Sequence, residues 1–467
     1  MSDLPLFSYR STGDDPEQSH VPGRILSAVL GIIFLILILQ INRRITTGHS
    51  GDFRHFYFAA GALLDHRDLY GPVPLDVVEH ALGRPAGQVE KKWYTTDSER
   101  YLYPPMIAML YTPIARLRFA TAQRIILIIN ALLVIAGILL VSRVFVRRFD
   151  LGSDGWQIPA AALLGTLLNM DKVHLDLQMF QTNSLMFFLF ALSLNWLDRR
   201  PVLAGIPLGI IFNIKYLSIG LLPWLLIRRR WGSAIGCVVS AVAFALLPAL
   251  ISGWQPNLKN LSVAYGGLLH MVGTHGTGGI EQANVDDIRD YLSCSITSAL
   301  ARTTQPGQSL LLPMAAVACI AGLAICMVIG IYQRNRIPVL AWPRESEQSR
   351  KPWTSAIGVE FVAIIAATLC FSPQTNTRHL MLALLLTIPL SVLIISVKGN
   401  AARIPAILGA LLIGIGFIFP PGGQAPQSHH LALRWFGIGG QCWCLLAAMF
   451  LLVWSGAVGV HRKQRQS

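Results

Sequence analysis

Residues 199–230 read RRPVLAGIPLGIIFNIKYLSIGLLPWLLIRRR, an apolar run closed at both ends by arginines. Val202 to Ile227 would suffice for one helix across a bilayer core of about 30 Å. Basic clusters in short loops, however, mark the cytoplasmic side of a membrane protein, so both ends of this run belong on one side. The run is therefore expected to be a hairpin of two short helices, broken around Asn213 to Tyr216. Lys215 then sits at the break, at the membrane-embedded or outer end. A cation in that position is costly without a partner, which makes it a site candidate; the plain alternative is a lysine snorkelling from a helix end.

The same pattern extends in both directions. Apolar spans are expected at about 25–41, 121–142, 157–170, 181–197, 202–213, 216–228, 232–252, 308–332, 354–372, 378–397, 403–420 and 431–457, about twelve in all. Between them lie Arg147 with Arg148, Arg199 with Arg200, Arg228 to Arg230, Arg334 with Arg336, and the tail from His461 to Arg465. Placing these clusters in the cytoplasm puts both termini there too, and turns the loops 42–102 and 253–307 outward. The stretch Tyr103 to Leu117 (YPPMIAMLYTPIARL) would upset that parity as a span. Its three prolines and short length suit a re-entrant or surface segment.

Composition agrees. Of 467 residues 53% are apolar and 13% charged, against about 25% charged in ordinary soluble proteins, and mean hydropathy is +0.52. The expectation is an all-α polytopic protein of the cell membrane. It has a cytoplasmic tail (1–24), one transmembrane domain (25–460) and a basic cytoplasmic tail (461–467). The net charge of +14 resides in the loop clusters, which serve topology and not nucleic acid. Asp3, Asp14, Asp15 and Glu17 have the wrong sign for a signal peptide, and Ile25 to Ile41 runs into Asn42, Arg43 and Arg44 without a cleavage site. It reads as an uncleaved first span. Four of seven cysteines (Cys237, Cys319, Cys326, Cys370) fall in apolar blocks as small hydrophobes; Cys294, Cys442 and Cys444 lie near the outer side, where a disulfide is chemically open.

Several chemistries are absent from the sequence. There is no phosphate-binding Walker loop and no dinucleotide fingerprint, and Gly273 to Gly279 lacks the Gly-Lys-Ser/Thr ending. His429 and His430 have no carboxylate or cysteine at ligand spacing and read as interfacial loop. Neither a metal nor a cofactor is expected.

Polar residues that interrupt apolar sequence gather on the outer side of this topology. After the first span comes Ser50-Gly51-Asp52-Phe53-Arg54-His55-Phe56-Tyr57. Phe53, Phe56, Tyr57, Ala60 and Leu64 recur at helical spacing, predicting an amphipathic helix on the membrane surface that stops near Asp68-Leu69-Tyr70-Gly71-Pro72. Asp52 at its start is either an N-cap or a general base held at the bilayer surface. Gln181 and Asn183 open a span after Asp171, His174 and Asp176, and could simply cap it. Arg378 and His379 open another and could be interface anchors. Together with Lys215 and the Tyr103-Pro104-Pro105 turn they map to one face, which is stronger evidence than any one of them.

At these residues the sequence resembles glycosyltransferase family 87, polytopic mannosyltransferase-like enzymes of the GT-C fold class that use polyprenyl-phosphate sugars. The matching pieces are GDFRHFYFAAGALLDHRDLYGP, YLYPPMIAMLYTPIARL, QTNSLMFFLFALSLNWLDRR and FNIKYLSIGLLPWLLIRRRW, with weaker likeness in LSCSITSALAR and SPQTNTRHLMLALLLTIPL. They follow the family's order over about residues 50 to 390. The chain departs from the family's common pattern at Phe180-Gln181-Thr182-Asn183 and at Lys215-Tyr216. The resemblance implies that Asp52 is the catalytic base. Arg54, Tyr103, Gln181, Asn183, Lys215, Arg378 and His379 are the expected substrate-binding residues. The implied partners are a polyprenyl-phosphate sugar donor, a glycolipid or glycan acceptor and the lipid bilayer. The implied reaction is inverting transfer of a hexose, mannose first, at the outer face. A transporter or lipid flippase is the alternative, but it should show repeat symmetry, and none is visible.

Overall fold

In lipid a backbone must satisfy its own hydrogen bonds, so long apolar stretches fold as helices. The computed structural model describes residues 16–48, 50–83, 85, 101–149, 155–271, 287–305, 307–339, 347–397, 399–418 and 430–466. Among these residues the regular elements are helical, and the only β-type pairing is an isolated antiparallel bridge between Ser293 and Asn376. Among the described residues six helices are long and apolar enough to cross a membrane: Val21–Thr46, Phe119–Arg148, Trp231–Ser252, Leu311–Arg334, Thr377–Ser396 and Gly440–Gly459. Shorter apolar helices lie at Pro105–Ile114, Gln157–Leu167, Asn183–Trp196, Pro201–Lys215, Ser355–Phe371 and Asn400–Gly416. The first fifteen residues, Gly273 to Gly279 and His429, the first of the adjacent histidines, lie outside the described residues.

The first half of the bundle frames the site. Helix α1 (Pro16–Thr46) buries Leu30, Phe34, Leu37 and Ile41, one stripe at three- and four-residue spacing, and leaves Ile25, Ile32, Leu35 and Leu39 exposed as a lipid-facing helix should. Helix α2 (Phe53–Leu64) follows, then α3 (Leu75–Leu82) and α4 (Pro105–Tyr111). Helix α2 ends four residues before Asp68, where the chain turns through a left-handed His66 (φ 53°). Its Phe53, Phe56 and Ala60 are fully buried, because the apolar side packs on α4 and on the start of α5 (Phe119–Arg148). Phe56 stacks on Tyr111 at 5.1 Å and Phe53 meets Phe119 edge-on at 5.1 Å. Seven helical residues of α4 span about 10 Å, too little to cross the bilayer unaided.

Next come α6 (Gln157–Leu167), α7 (Met170–Met179), α8 (Asn183–Trp196), α9 (Pro201–Lys215), α10 (Leu221–Ile227) and α11 (Trp231–Leu246). The 199–230 run does break after Lys215, where Tyr216 adopts φ 56°. Helix α9 packs face to face on α11 through Gly205 and Gly209, four residues apart. A Cβ on Gly205 would enter the Ser233 carbonyl, and one on Gly209 the Ser240 hydroxyl. Such small-residue contacts let apolar helices approach closely in a membrane. Hydrogen bonds lock the pair: Ser233 Oγ to the Pro201 carbonyl (2.8 Å) and Asn213 Nδ2 to the Ala241 carbonyl (2.8 Å).

The remaining helices are α12 (Ala249–Ser252), α13 (Trp254–Met271), α14 (Ile296–Ala301), α15 (Leu311–Arg334), α16 (Glu347–Phe371), α17 (Leu384–Ser396), α18 (Asn400–Gly416), α19 (His430–Gly437) and α20 (Gly440–Gln466). Helix α17 is the central one, buried from Leu384 to Leu393 and preceded by a 3-10 turn over Thr377–Ala383. Helix α15 lies at the periphery and buries only Pro313, Ile331 and Tyr332.

Four of the basic clusters meet at one end of the bundle. Asp198 bridges Arg148 (2.9 Å) and Arg230 (2.8 Å). Arg228 pairs with buried Glu360 and donates to the carbonyls of Pro338 and Val339 beside Arg336. Helix α5 begins against Phe53 and Tyr57 and ends at Arg148, so its 30 residues put this end about 45 Å from Asp52. The described cysteines are all unpaired thiols.

Candidate active site

Asp52 owes its position to Gly51. That glycine has φ 51°, and a Cβ on it would press on the Cα of Met179 at 2.9 Å. The close approach lets the Asp52 backbone N–H donate to the Met179 carbonyl (3.1 Å), fixing the start of α2 against the end of α7. The Asp52 side chain makes no capping bond to α2. Its carboxylate instead accepts from Gln181 Nε2 and pairs with the Arg378 guanidinium. The capping alternative therefore does not hold: the carboxylate faces away from its own helix.

The second anchor is the turn between α7 and α8. Phe180 closes α7 in the left-handed region (φ 55°), fully buried, with its ring 6.1 Å from Phe53. A bulky residue there costs about 1–2 kcal/mol. The turn places Gln181 and Asn183 on either side of Lys215, whose ammonium donates to Gln181 Oε1 (2.8 Å) and Asn183 Oδ1 (2.9 Å). It also lies 5.7 Å from the centre of the Tyr103 ring, within cation–π range. Asn130 Nδ2 holds the Gln181 carbonyl (3.1 Å) from α5.

Asp176 is the residue that sequence reading passed over as a site member. It is fully buried and accepts from Asn183 Nδ2 (2.7 Å) and Ser184 Oγ (2.6 Å). Burial pushes its carboxyl above the usual carboxylate range, while the Ser184 and Asn183 bonds and the Lys215 and Arg378 charges pull it down. A continuous chain thus runs from Arg378 through Asp52, Gln181, Lys215 and Asn183 to Asp176. It carries two cations and two carboxylates.

Arg378 comes from the far side of the sequence and is positioned by stitched loops. Ser298 Oγ donates to the Pro373 carbonyl (2.7 Å), Thr297 Oγ1 to the Phe371 carbonyl (2.8 Å), and the Cys294 N–H to the Thr375 carbonyl (2.7 Å). The LSCSITSALAR and SPQTNTRH segments, distant in sequence, thereby form one support. Asn183 Nδ2 also reaches the Arg378 carbonyl (3.1 Å), and Asn169 Nδ2 that of Met381 (3.1 Å).

Two expected site residues sit differently. His379 adjoins Arg378, but its Nδ1 accepts the Asn376 backbone N–H (3.3 Å), a local tie that leaves Nε2 as the ring atom for other work. Arg54 lines a separate small cavity with His55, Phe58, Asp68 and Tyr101, and none of Asp52, Gln181, Lys215 or Arg378 borders that cavity. No cluster of three or more metal-ligating side chains occurs among the described residues.

A carboxylate beside two cations, about one-fifth exposed at Asp52 and one-quarter at Arg378, can take a proton and hold a phosphate on the same surface. The family model for glycosyltransferase family 87 matches residues 101–343, just over half of the chain. The chain belongs to glycosyltransferase family 87. It is accordingly a glycosyltransferase with membrane helices, acting between a sugar donor and an acceptor. Among curated proteins no match is found. The family 87 match contains Tyr103, Asp176, Gln181, Asn183 and Lys215, whereas Asp52, Arg378 and His379 lie on either side of it and join it only through the fold.

Proposed function

We propose that this family 87 enzyme transfers a hexose, mannose first, from a polyprenyl-phosphate sugar to a glycolipid or glycan acceptor, with inversion, at the outer face of the cell membrane. The observation that carries the reading is the bridge of Gln181 between Asp52 and Lys215, with Arg378 on the same carboxylate. A proton acceptor and two phosphate-binding cations lie within one side chain of each other. About twelve crossings, Pro105–Ile114 not among them, leave both termini cytoplasmic, and α2 lies at the outer interface with its polar edge toward the acceptor. Residues 25–460 act as a single catalytic domain.

The reaction follows from charge. With no substrate bound, Arg378 neutralises Asp52. The donor phosphodiester, one negative charge shared by two free oxygens, gives Arg378 and Lys215 a common partner, and the Asp52 carboxylate is released from its pair; the second phosphate charge develops only as the sugar leaves. Asp52 then takes the acceptor hydroxyl proton as that oxygen bonds to the anomeric carbon. The carbon–phosphate oxygen bond breaks on the opposite face, and its electron pair leaves with polyprenyl phosphate. Lys215 and Arg378 stabilise that charge, held in place by Asn183, Asp176 and the Tyr103 ring. Arg54 and His379 Nε2 serve the sugar or the acceptor at the rim. A donor anchored in the bilayer needs a groove at the membrane surface and no nucleotide-binding domain, which fits the motifs the chain lacks.

The test is to supply membranes containing the protein with radiolabelled polyprenyl-phosphate sugars one at a time, beside the matching sugar nucleotides. Transfer of label from polyprenyl-phosphate mannose, lost in the Asp52→Asn variant, is the expected result. Transfer from a sugar nucleotide alone would overturn the donor assignment.

A further inference from the structure

A second charged cavity lies at the opposite end of the bundle, between the ends of α5 and α8. It has a volume of about 500 Å³ and is lined by Arg147, Arg148, Asn195, Trp196, Arg199 and Arg200, with Asp198 as its one acidic group among the described residues. Asp198 is already spent on Arg148 (2.9 Å) and Arg230 (2.8 Å). Arg147, Arg199 and Arg200 make no ion pair among the described residues, so three guanidinium groups line one cavity with no counter-charge among those residues. Topology alone needs basic residues on this side, but it does not need them gathered around a cavity.

Arginine forks match phosphate oxygens in geometry, and a basic recess between membrane helices is how phosphate head groups are held. Half-buried Trp196 adds an aromatic wall of the kind that sits at head-group depth. We propose that this cavity binds the phosphate group of an anionic ligand, either a phospholipid head group or a soluble phosphate, about 45 Å from Asp52. The binding is independent of the reaction proposed above, since none of its residues belongs to the Asp52 network.

The full-length protein is purified, stripped of lipid and titrated with dioleoylphosphatidylglycerol, with dioleoylphosphatidylcholine and with inorganic phosphate, and bound molecules are counted by native mass spectrometry. Wild type should retain the anionic lipid over the zwitterionic one. Arg147→Gln, Arg199→Gln and Arg200→Gln should each weaken retention by about tenfold, and the three together by more. The pair Arg229→Gln with Arg336→Gln, at the same end but outside the cavity lining, should leave retention unchanged. Inorganic phosphate that displaces the lipid at millimolar concentration would assign the site to soluble phosphate; failure to displace it would assign the site to the head group. Equal retention of both lipids together with no phosphate binding, or anionic-lipid retention unaltered in all three single variants, would overturn the proposal. The single variants keep the test decisive if the triple variant does not fold.

Discussion

Arg378 and Asp52 are 326 residues apart in the chain and form an ion pair at one end of the helical bundle. The pair closes the fold on itself, since Asp52 follows the first long helix and Arg378 opens the central one. It also holds the carboxylate in a state that a phosphate can disrupt.

Gln181 is the side chain that links carboxylate and ammonium. Gln181→Leu removes the amide that serves both and leaves Lys215 with Asn183. Losing a hydrogen bond to a charged group costs about 1.5–3 kcal/mol, so catalytic efficiency should fall about 10- to 100-fold. Gln181→Glu, which adds a second carboxylate beside Asp52, should be worse in kcat than Leu. Steady-state kinetics on the purified pair of variants checks the order; a Leu variant with the wild-type kcat/KM contradicts the bridge.

Much of this network was legible in the sequence because a polar residue in an apolar stretch is conspicuous. Lys215, Gln181, Asn183 and Arg378 stand out for that reason, and the structure brings them together with Asp52. Asp176 was not legible as part of it, because it lies in the polar run MDKVHLDLQM, where one more carboxylate looks like a solvated loop. Arg54, two residues after Asp52 in the sequence, lines a separate cavity in the fold, because residues two apart along a helix are turned by about 200°. His379 has its Nδ1 drawn into a local turn by Asn376, a spacing with no sequence signature for histidine. Helix α2 ends at Leu64, short of the Gly71-Pro72 stop that the sequence advertises, because the turn at His66 takes a left-handed conformation with no sequence signal of its own.

Lys215→Met keeps the length and apolar stem of the side chain and removes the charge. The donor KM should rise by about tenfold or more, while the amount of folded protein changes little. Binding of polyprenyl phosphate, followed by fluorescence quenching or calorimetry, separates the outcomes. Unaltered donor affinity with reduced protein abundance would make Lys215 a structural cation only.

The α9–α11 contact positions Lys215 at a distance from it. Gly209→Ile forces a branched side chain into the Ser240 hydroxyl and the Ala241 backbone, and overpacking costs about 1–3 kcal/mol even where backbones can move apart. Its thermal midpoint should drop, and donor use should fall with it. Gly31→Ala, with nothing within 4 Å of the added carbon, is the matched control and should be neutral or slightly stabilising. Thermal unfolding of both in the same detergent reads the difference.

Orientation is tested by labelling. In a cysteine-free background His80→Cys, on the Asp52 side, should react with a membrane-impermeant maleimide added outside intact cells. Arg336→Cys, at the basic end, should react only after the membrane is opened. The reverse pattern would move the proposed reaction to the cytoplasmic face.

The central claim is that Asp52 is the general base, and Asp52→Asn tests it most directly. Asparagine keeps the shape and the contact with Gln181 but cannot accept a proton, and it loses the charge that Arg378 pairs with. General-base catalysis is worth about 10²- to 10⁴-fold, so turnover of a polyprenyl-phosphate sugar by the purified variant should fall by that factor. Its elution profile should stay near that of the wild type, since the side chain caps nothing in α2, and its donor affinity should not fall, since Arg378 no longer has a carboxylate to release. A well-folded Asp52→Asn enzyme with wild-type turnover would contradict the account.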